Sequence, residues 1–382
     1  MRIALIHSFY SSQAPSGENN IVNAHIAALE KKGHEVLLVA KYTDDEAEAP
    51  LYKLRTALNV ATQRGPSPLE ALKKFAPDIV HVHNLFPNFS KTWLDVWDGP
   101  LVATLHNFRP VCAAGTLFRD GHACTECIDF GSHRAVVNRC YRGSAVASLP
   151  LAIQTKGGIA NDPVIRRADR IVVLSERAYG MYVSLGVDPA KVSLVPNFVD
   201  EAPFAPEAEP GRHWVYIGRL SSEKGVLTLI RSWPASEELR IYGEGPLLEE
   251  AKELVVNSPN ISVLGGVASN EVPAHLSEAR GLVFPSECPE GAPLVYLEAL
   301  AAGRPIIARN GNSVADDVAA HGTGLVYSNS DQLGSSLDSV NENWAGYHAK
   351  TINRYMSAFS HSAWTQQIEG VYAEVIGRTG KK

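Results

Sequence analysis

Short apolar runs alternate with amphipathic stretches along the whole chain. Ile3-Ala4-Leu5-Ile6 is followed by Ile21, Val22, His25, Ile26 and Leu29 at helical spacing, then by Gly33 and a second run, Val36-Leu37-Leu38-Val39. The same beat returns in DIVHVHN, LVATLHN, RIVVLS and VSLVPN. Unbroken apolar runs of this length suit strands covered on both faces, and the amphipathic stretches between them supply the cover. The pattern predicts an α/β fold built from βαβ units around a mostly parallel, doubly wound sheet. It breaks at PNFVDEAPFAPEAEPGRH, residues 196–213, which is rich in proline and acid and reads as a linker. A second series then begins, with HWVYIGRL, LRIYGEG, ISVLGG, GLVFPS and PIIAR as strands. Two domains of similar size are expected, residues 1–197 and 198–355. In the closing segment, 356–382, Trp364, Ile368, Val371, Tyr372 and Val375 have helical spacing and predict a final helix packing back on the first domain.

Ligands of doubly wound sheets bind beyond the carboxyl ends of the strands, and a second domain adds a second wall to the cleft. One stretch in that position is SECPEGAPLVYLEALAAGRPII, residues 286–307. Leu294 to Ala302 are good helix formers, Pro293 suits a first helical position, and Gly303 suits the left-handed residue after a last turn. Glu290 then lies in the loop before the helix and Glu298 inside it. The small residues between them, Gly291, Ala292 and Pro293, lead into a helix start whose free N–H groups can meet a phosphate. In YIGRLSSEKG, a strand is followed by Gly218, Arg219 and Lys224, two cations suited to a diphosphate. GEGP, residues 243–246, follows the next strand. Each segment alone also fits an ordinary solvated loop.

Composition adds bounds. The chain has 382 residues, 45% hydrophobic and 20% charged, as expected of a globular protein with a real core. MRIALIHSFYSSQ reads as a first strand rather than an export signal, no run approaches the length needed to span a bilayer, and a cytoplasmic location is expected. The net charge of −6 is uneven, with residues 1–185 carrying +3 and the remainder −9. No concentrated basic face points to nucleic acid. Arg134, Arg139, Arg142, Lys156, Arg166, Arg167 and Arg170 flank the apolar run from Ala145 to Ile153. That segment suits either a peripheral contact with the anionic inner face of a membrane or a covered helix with solvated arginines.

Four of the five cysteines, Cys112, Cys124, Cys127 and Cys140, fall in an insertion at 112–140 containing a Cys-x-x-Cys pair. Without an export signal, a structural zinc site or reduced thiols is favoured over disulfides. The outer spacings match no common zinc module.

Taken together, PSGENN, TLHN, VPNFVD, GRLSSEKG, GEGP and EGAPLVYLEALAAGRPI resemble the retaining nucleotide-sugar glycosyltransferases of family 4, over nearly the whole chain. The resemblance implies the GT-B fold, two Rossmann-like domains facing across a cleft, with the acceptor handled by the first and the nucleotide sugar by the second. It implies a donor of UDP, GDP or ADP type, with Glu290 on the sugar hydroxyls and Glu298 on the ribose diol. Arg219 and Lys224 would neutralise the departing diphosphate, aided by backbone groups of Gly291, Ala292, Pro293, Leu294 and Val295 and by Gly218 and Gly243. Gly17 would approach the same phosphates from the first domain, and His106 would stand near the anomeric carbon. No cofactor is required on this reading, since the two cations take the role a metal would otherwise fill. Two departures stand out. Gly17 is followed by Glu18 where the family commonly has adjacent glycines, and Asn107 follows His106 where relatives often carry aspartate.

Competing readings are a nucleotide-sugar epimerase, a phosphorylase, or a non-catalytic two-domain sugar-binding protein. No segment advertises a pyridoxal-phosphate lysine, and the missing export signal argues against a solute-binding protein. The residues do not name the acceptor. A lipid-linked, polysaccharide or small soluble acceptor all fit.

Overall fold

The computed structural model of the chain describes residues 1–12, 17–200 and 209–379. Pro15 and Ser16 of PSGENN and much of the expected linker lie outside the described residues. The chain forms two compact units: Met1–Leu117 with Cys124–Pro196 and Thr365–Lys382, and Asn197–Trp364 with the short segment Phe118–Ala123.

The strands in chain order are β1 (Arg2–Phe9), β2 (Glu35–Tyr42), β3 (Ile79–Asn84), β4 (Leu101–Leu105), the two-residue hairpin strands β5 (Phe118–Arg119) and β6 (His122–Ala123), β7 (Arg170–Val173) and β8 (Val192–Leu194). In the second unit come β9 (His213–Ile217), β10 (Glu238–Tyr242), β11 (Ile261–Gly265), β12 (Gly281–Phe284), β13 (Ile306–Arg309) and β14 (Gly324–Tyr327).

The first unit holds a parallel sheet in the order β2-β1-β3-β4-β7-β8. Ile3 to Ile6 of β1 are fully buried, as a strand covered on both faces requires. The helix Gly17–Lys31 buries Ile21, Val22, Ala28 and Leu29. The last helix, His361–Thr379, returns the chain to this unit from Thr365 onward. Trp364, Ile368, Val371, Tyr372 and Val375 are all buried, which is the stripe their spacing predicted. The helix is tied down by polar contacts as well. The Tyr372 hydroxyl lies 2.7 Å from His81 Nδ1, Glu369 meets His34 at 2.8 Å, and Glu374 pairs with the buried Arg170.

The second unit holds a parallel sheet in the order β11-β10-β9-β12-β13-β14. Numbered within the unit this is the 3-2-1-4-5-6 arrangement of a dinucleotide-binding sheet, with its reversal between β9 and β12. The edge strand β14 has no counterpart among the expected strands. It is four residues long and follows Gly322, so on sequence it looks like a turn. The helix after β12 is Leu294–Ala301, with Pro293 as its extended N-cap rather than its first helical residue, and Gly303 is left-handed at φ +67°. Among the described residues no helix is long and apolar enough to cross a membrane.

Candidate active site

In the second unit the expected residues gather at the strand-order reversal. Past β9, Gly218 N–H donates to the Tyr242 carbonyl (3.0 Å) and Leu220 N–H to the Glu244 carbonyl (2.8 Å), stitching this loop to the GEGP loop after β10. Gly243 has to be glycine there. Its φ is +153°, and a Cβ would lie 1.8 Å from the Gly218 carbonyl oxygen. The chain then makes a 3₁₀ turn, Ser222–Lys224, and enters the helix Val226–Ser232 through Gly225. A Cβ on Gly225 would lie 2.2 Å from the carbonyl of Pro285, so this turn is pressed against the loop that follows β12.

That second loop carries Glu290, and the two loops meet in an ion pair. Lys224 Nζ lies 2.6 Å from Glu290 Oε1, which also accepts from Ser286 Oγ at 2.5 Å. Burial would push the Glu290 carboxyl up, but the Lys224 ammonium and hydrogen bonds from Lys224, Ser286 and Cys288 outweigh it and hold the group below its ordinary value. Burial likewise opposes the charge on Lys224, and Glu290 reverses that to leave the ammonium raised. Both partners are therefore charged. Glu290 sits at φ +53°, a left-handed conformation that is costly for a side chain with a Cβ and that the surroundings must impose. They do so through a set of anchors. Asn312 Nδ2 donates to the Ser286 carbonyl (2.8 Å), Ser313 N–H to the Pro289 carbonyl (3.0 Å), Ser313 Oγ to the Gly291 carbonyl (3.1 Å) and Asn197 Nδ2 to the Ala292 carbonyl (3.4 Å).

Arg219 is exposed, and its guanidinium makes no ion pair or hydrogen bond among those of the described residues. The helix Leu294–Ala301 starts with no side chain capping it. Pro293 has no N–H to offer, so any backbone donors at this end belong to residues such as Leu294 and Val295. Glu298 stands on the second turn of the same helix, half-buried, and burial pushes its carboxyl up to about 7. Cys288 is a poor nucleophile, since burial first, and then Glu290, pushes its thiol up to about 12.

The first unit shows a second polar cluster, at the carboxyl ends of β1, β3 and β4. Its order reverses between β1 and β3, so this too is a place where such sheets bind ligands. Gly17 opens the helix after β1, and Glu18 follows. Asn107 Nδ2 donates to Glu18 Oε2 at 3.3 Å, while Glu18 Oε1 is buried without a partner among the described residues. Burial pushes this carboxyl up to about 7, against the pull of Arg109 and of hydrogen bonds from Asn107 and Asn84. Arg109 donates to the Ala113 carbonyl (3.0 Å) and lies over the Phe86 ring at 4.1 Å.

His106, just past β4, is not isolated. Its Nε2 lies 2.9 Å from His83 Nδ1, and His83 stacks on His81 with ring centroids 4.2 Å apart. His25 and His7 flank the same stack, at 5.1 Å and 6.5 Å from the His83 ring. Burial lowers every one of them: His106 and His81 to about 3, His7 to about 4, and His25 and His83 well below the ordinary value. Five neutral imidazoles thus line the floor of this cluster.

The zinc expectation gains no support from the geometry. No disulfide joins the five cysteines, yet among the described residues no three His, Cys, Asp or Glu side chains stand in a metal-holding group. Cys112, Cys124, Cys127 and Cys140 share a neighbourhood without sharing a coordination sphere. The Cys127 thiol is pushed up to about 11, mainly by burial and then by the other three.

Sequence reasoning missed Ser286, Asn312 and Ser313, which hold the Glu290 loop, and Tyr10 and Arg109, which stand by Glu18. Ser286 and Arg109 each lie within a few residues of a strand end, which was the available signal.

Two doubly wound parallel sheets, each with polar residues at its reversal point, make the GT-B fold. The model of Glycosyltransferase Family 4 matches residues 15–202, and that of the Glycosyl transferases group 1 matches residues 211–343. The chain belongs to the family 4, group 1 glycosyltransferases. It is 30% identical over 208 residues to the GDP-mannose-dependent alpha-(1-6)-phosphatidylinositol monomannoside mannosyltransferase of Mycobacterium tuberculosis, covering 46% of this chain and 53% of that protein. The chain thus spans about half the length of this relative. Sucrose-phosphate synthase from Thermosynechococcus elongatus matches it in structure with a TM-score of 0.68 at 17% identity, over 99% of each chain. Anabaena Alr3699/HepE in complex with UDP-glucose matches with a TM-score of 0.63 at 16% identity, over 98% of this chain and 100% of that one.

Proposed function

We propose that the chain is a retaining glycosyltransferase that moves a sugar from a nucleoside-diphosphate sugar to an acceptor hydroxyl, in the assembly of a polysaccharide, glycolipid or other glycoconjugate. The observation that carries this is the exposed Arg219, unpaired among the described residues, near the Lys224–Glu290 pair, at the reversal point of the second sheet and ahead of an uncapped helix start. A diphosphate supplies what Arg219 lacks, two anionic groups for a planar donor fork, and Lys224 can add a hydrogen bond to it while still paired. Glu290, ionised and held rigid, is suited to accept hydrogen bonds from sugar hydroxyls. Glu298 is suited to the vicinal diol of the ribose, which offers a carboxylate two donors. The relative that uses GDP-mannose and the neighbour that holds UDP-glucose support a nucleotide-sugar donor without choosing its base.

Retention follows from a front-face displacement. The bond from the anomeric carbon to the phosphate oxygen breaks, and its electron pair leaves with the diphosphate. The acceptor oxygen bonds to the same face, and its proton passes to the departing phosphate oxygen. Arg219 and Lys224 stabilise the charge that appears on that leaving group, so the protein acts chiefly by placement and electrostatics. An acceptor carried on a membrane lipid would bring the first unit to a bilayer.

Thermal unfolding with UDP, GDP, ADP and dTDP, each with and without Mg²⁺, tests the reading. One diphosphate is expected to raise the melting temperature, and to do so less in Arg219→Ala. No shift with any of the four would overturn the donor site, and binding without turnover of the matching sugar donors would favour a binding protein.

A further inference from the structure

Two helices of the first unit leave apolar stripes in solvent. Tyr52–Thr62 and Ala145–Gln154 pack against each other and share a small core of Val60, Ala113, Ala135, Leu151 and Ala152. The faces away from that core also carry large aliphatic side chains. Leu51, Leu54 and Leu58 recur at intervals of three and four residues along the first helix and its N-cap, and Val146, Leu149 and Ile153 recur likewise along the second. All six are exposed, by between 47% and 82%. Scattered surface leucines need no account, but two such stripes on adjoining helices amount to a patch with something missing from it.

The charge around the patch says what is missing. The helices and the segments that flank them, residues 51–64 and 130–161, contain seven cations, Lys53, Arg55, Arg64, Arg134, Arg139, Arg142 and Lys156, and no acid; acids precede each segment, Asp44, Asp45, Glu46 and Glu48 before the first and Glu126 and Asp129 before the second. Arg55 and Arg134 pair with Glu46 and Glu126. The other five make no ion pair among the described residues, and all five are exposed. A second copy of the chain would set these cations against their own kind, which opposes self-association. An anionic lipid surface satisfies both features at once, with headgroups for the cations and the acyl boundary for the aliphatic side chains.

We propose that the paired helices Tyr52–Thr62 and Ala145–Gln154 form a peripheral docking surface for an anionic membrane. The stripes insert shallowly and the flanking lysines and arginines meet lipid phosphates. The site is separate from the donor residues, which lie in the other unit, and it does not depend on the glycosyltransferase reading.

The test is flotation of the full chain with vesicles of phosphatidylcholine alone or mixed with phosphatidylglycerol, using no donor and no acceptor. Binding is expected with the anionic vesicles, weak with the neutral ones, and reduced by salt. Arg139→Gln with Arg142→Gln and Lys156→Gln should lower affinity about 100-fold, at about fivefold per charge. Leu54→Ser/Leu58→Ser and Val146→Ser/Leu149→Ser should each abolish flotation while lowering the melting temperature by no more than a few degrees, since about half or more of each side chain is already exposed. No flotation with anionic vesicles, equal flotation with both kinds, or serine variants that bind like the original would overturn the proposal. So would a dimer in sedimentation equilibrium that the serine variants dissociate in the absence of lipid.

Discussion

Glu298→Gln should make the second unit more stable and a worse nucleotide binder. The carboxyl is half-buried, and burial raises it from 4.5 to about 7 in the folded state. A raised carboxyl binds more protons folded than unfolded between those two values, so folding loses stability as pH rises through that window. Below about 4.5 the group is protonated in both states and contributes nothing. Above about 7 the penalty is complete, about 1–3 kcal/mol once solvent screening of a partly exposed carboxylate is allowed for. Glutamine resembles the protonated form and does not titrate. The variant should therefore unfold with the original at pH 4.5 and outlast it at pH 8, by about 2–4 °C per kcal/mol for a unit of this size. Glu18 is raised into the same range in the first unit, and comparing the variant with the original at each pH removes its contribution. Meanwhile nucleoside diphosphate affinity should fall at pH 8, where the ionised carboxylate would have accepted two hydroxyl donors. The experiment is a pair of melting curves and a calorimetric titration at each pH. A variant that tracks the original at pH 8 would refute the buried-charge account, and unchanged nucleotide affinity would remove Glu298 from the ribose.

Three further substitutions or conditions separate the roles. Arg219→Ala should leave the melting temperature within about 1 °C, because the side chain is exposed and has no partner among the described residues, yet cut turnover about 100-fold or more in a donor-turnover assay. Equal turnover would remove it from the leaving-group site. Lys224→Met should cost about 3 kcal/mol by denaturant titration, the low end for a buried pair because the lysine side chain is 27% exposed, and adding Glu290→Gln should restore most of that without restoring activity. A single variant as stable as the original would show the pair to be worth little. The histidine stack gives the first unit the opposite pH response to that of Glu298. His7, His81 and His106 have folded values lowered to about 4, 3 and 3, so their stability is present above the unfolded value near 6.5. It is lost on acidification below about 6.5, with the raised Glu18 carboxyl of the same unit offsetting only part of the loss. The first unit should unfold on moving from pH 6.5 toward pH 4.5, read by near-ultraviolet circular dichroism, and an unchanged spectrum at pH 4.5 would contradict the burial of neutral imidazoles.

The strands were legible because parallel sheets need unbroken apolar runs, and the last helix because five large side chains kept one period over twelve residues. β14 was not, since four residues after a glycine carry too little pattern to outweigh a turn. Glu290, Arg219 and Lys224 could be picked out as chemistry in the right place, but the ion pair between residues 66 apart could not. That contact comes from β9 lying beside β12, a fact of sheet order and not of spacing. Glu18 shows the same limit, for its neighbours Asn107 and Arg109 arrive from another strand. The cysteines show the converse. Their spacing suggested a coordination sphere, and the structure brings all four near one another around Cys127 without three metal-holding groups converging among the described residues.

The helix His361–Thr379 has a consequence for the order of synthesis. Tyr372 and Glu374 of this helix reach the buried His81 and Arg170, so the packing of the first unit is incomplete when its own sheet has emerged from the ribosome. It must wait while the second unit is translated, roughly 10–35 s at about 5–20 residues per second. During that interval His81 lacks the Tyr372 hydroxyl and the Arg170 guanidinium lacks the Glu374 carboxylate. The strands of the second unit, β9 to β14, are all made before the helix that completes the first unit.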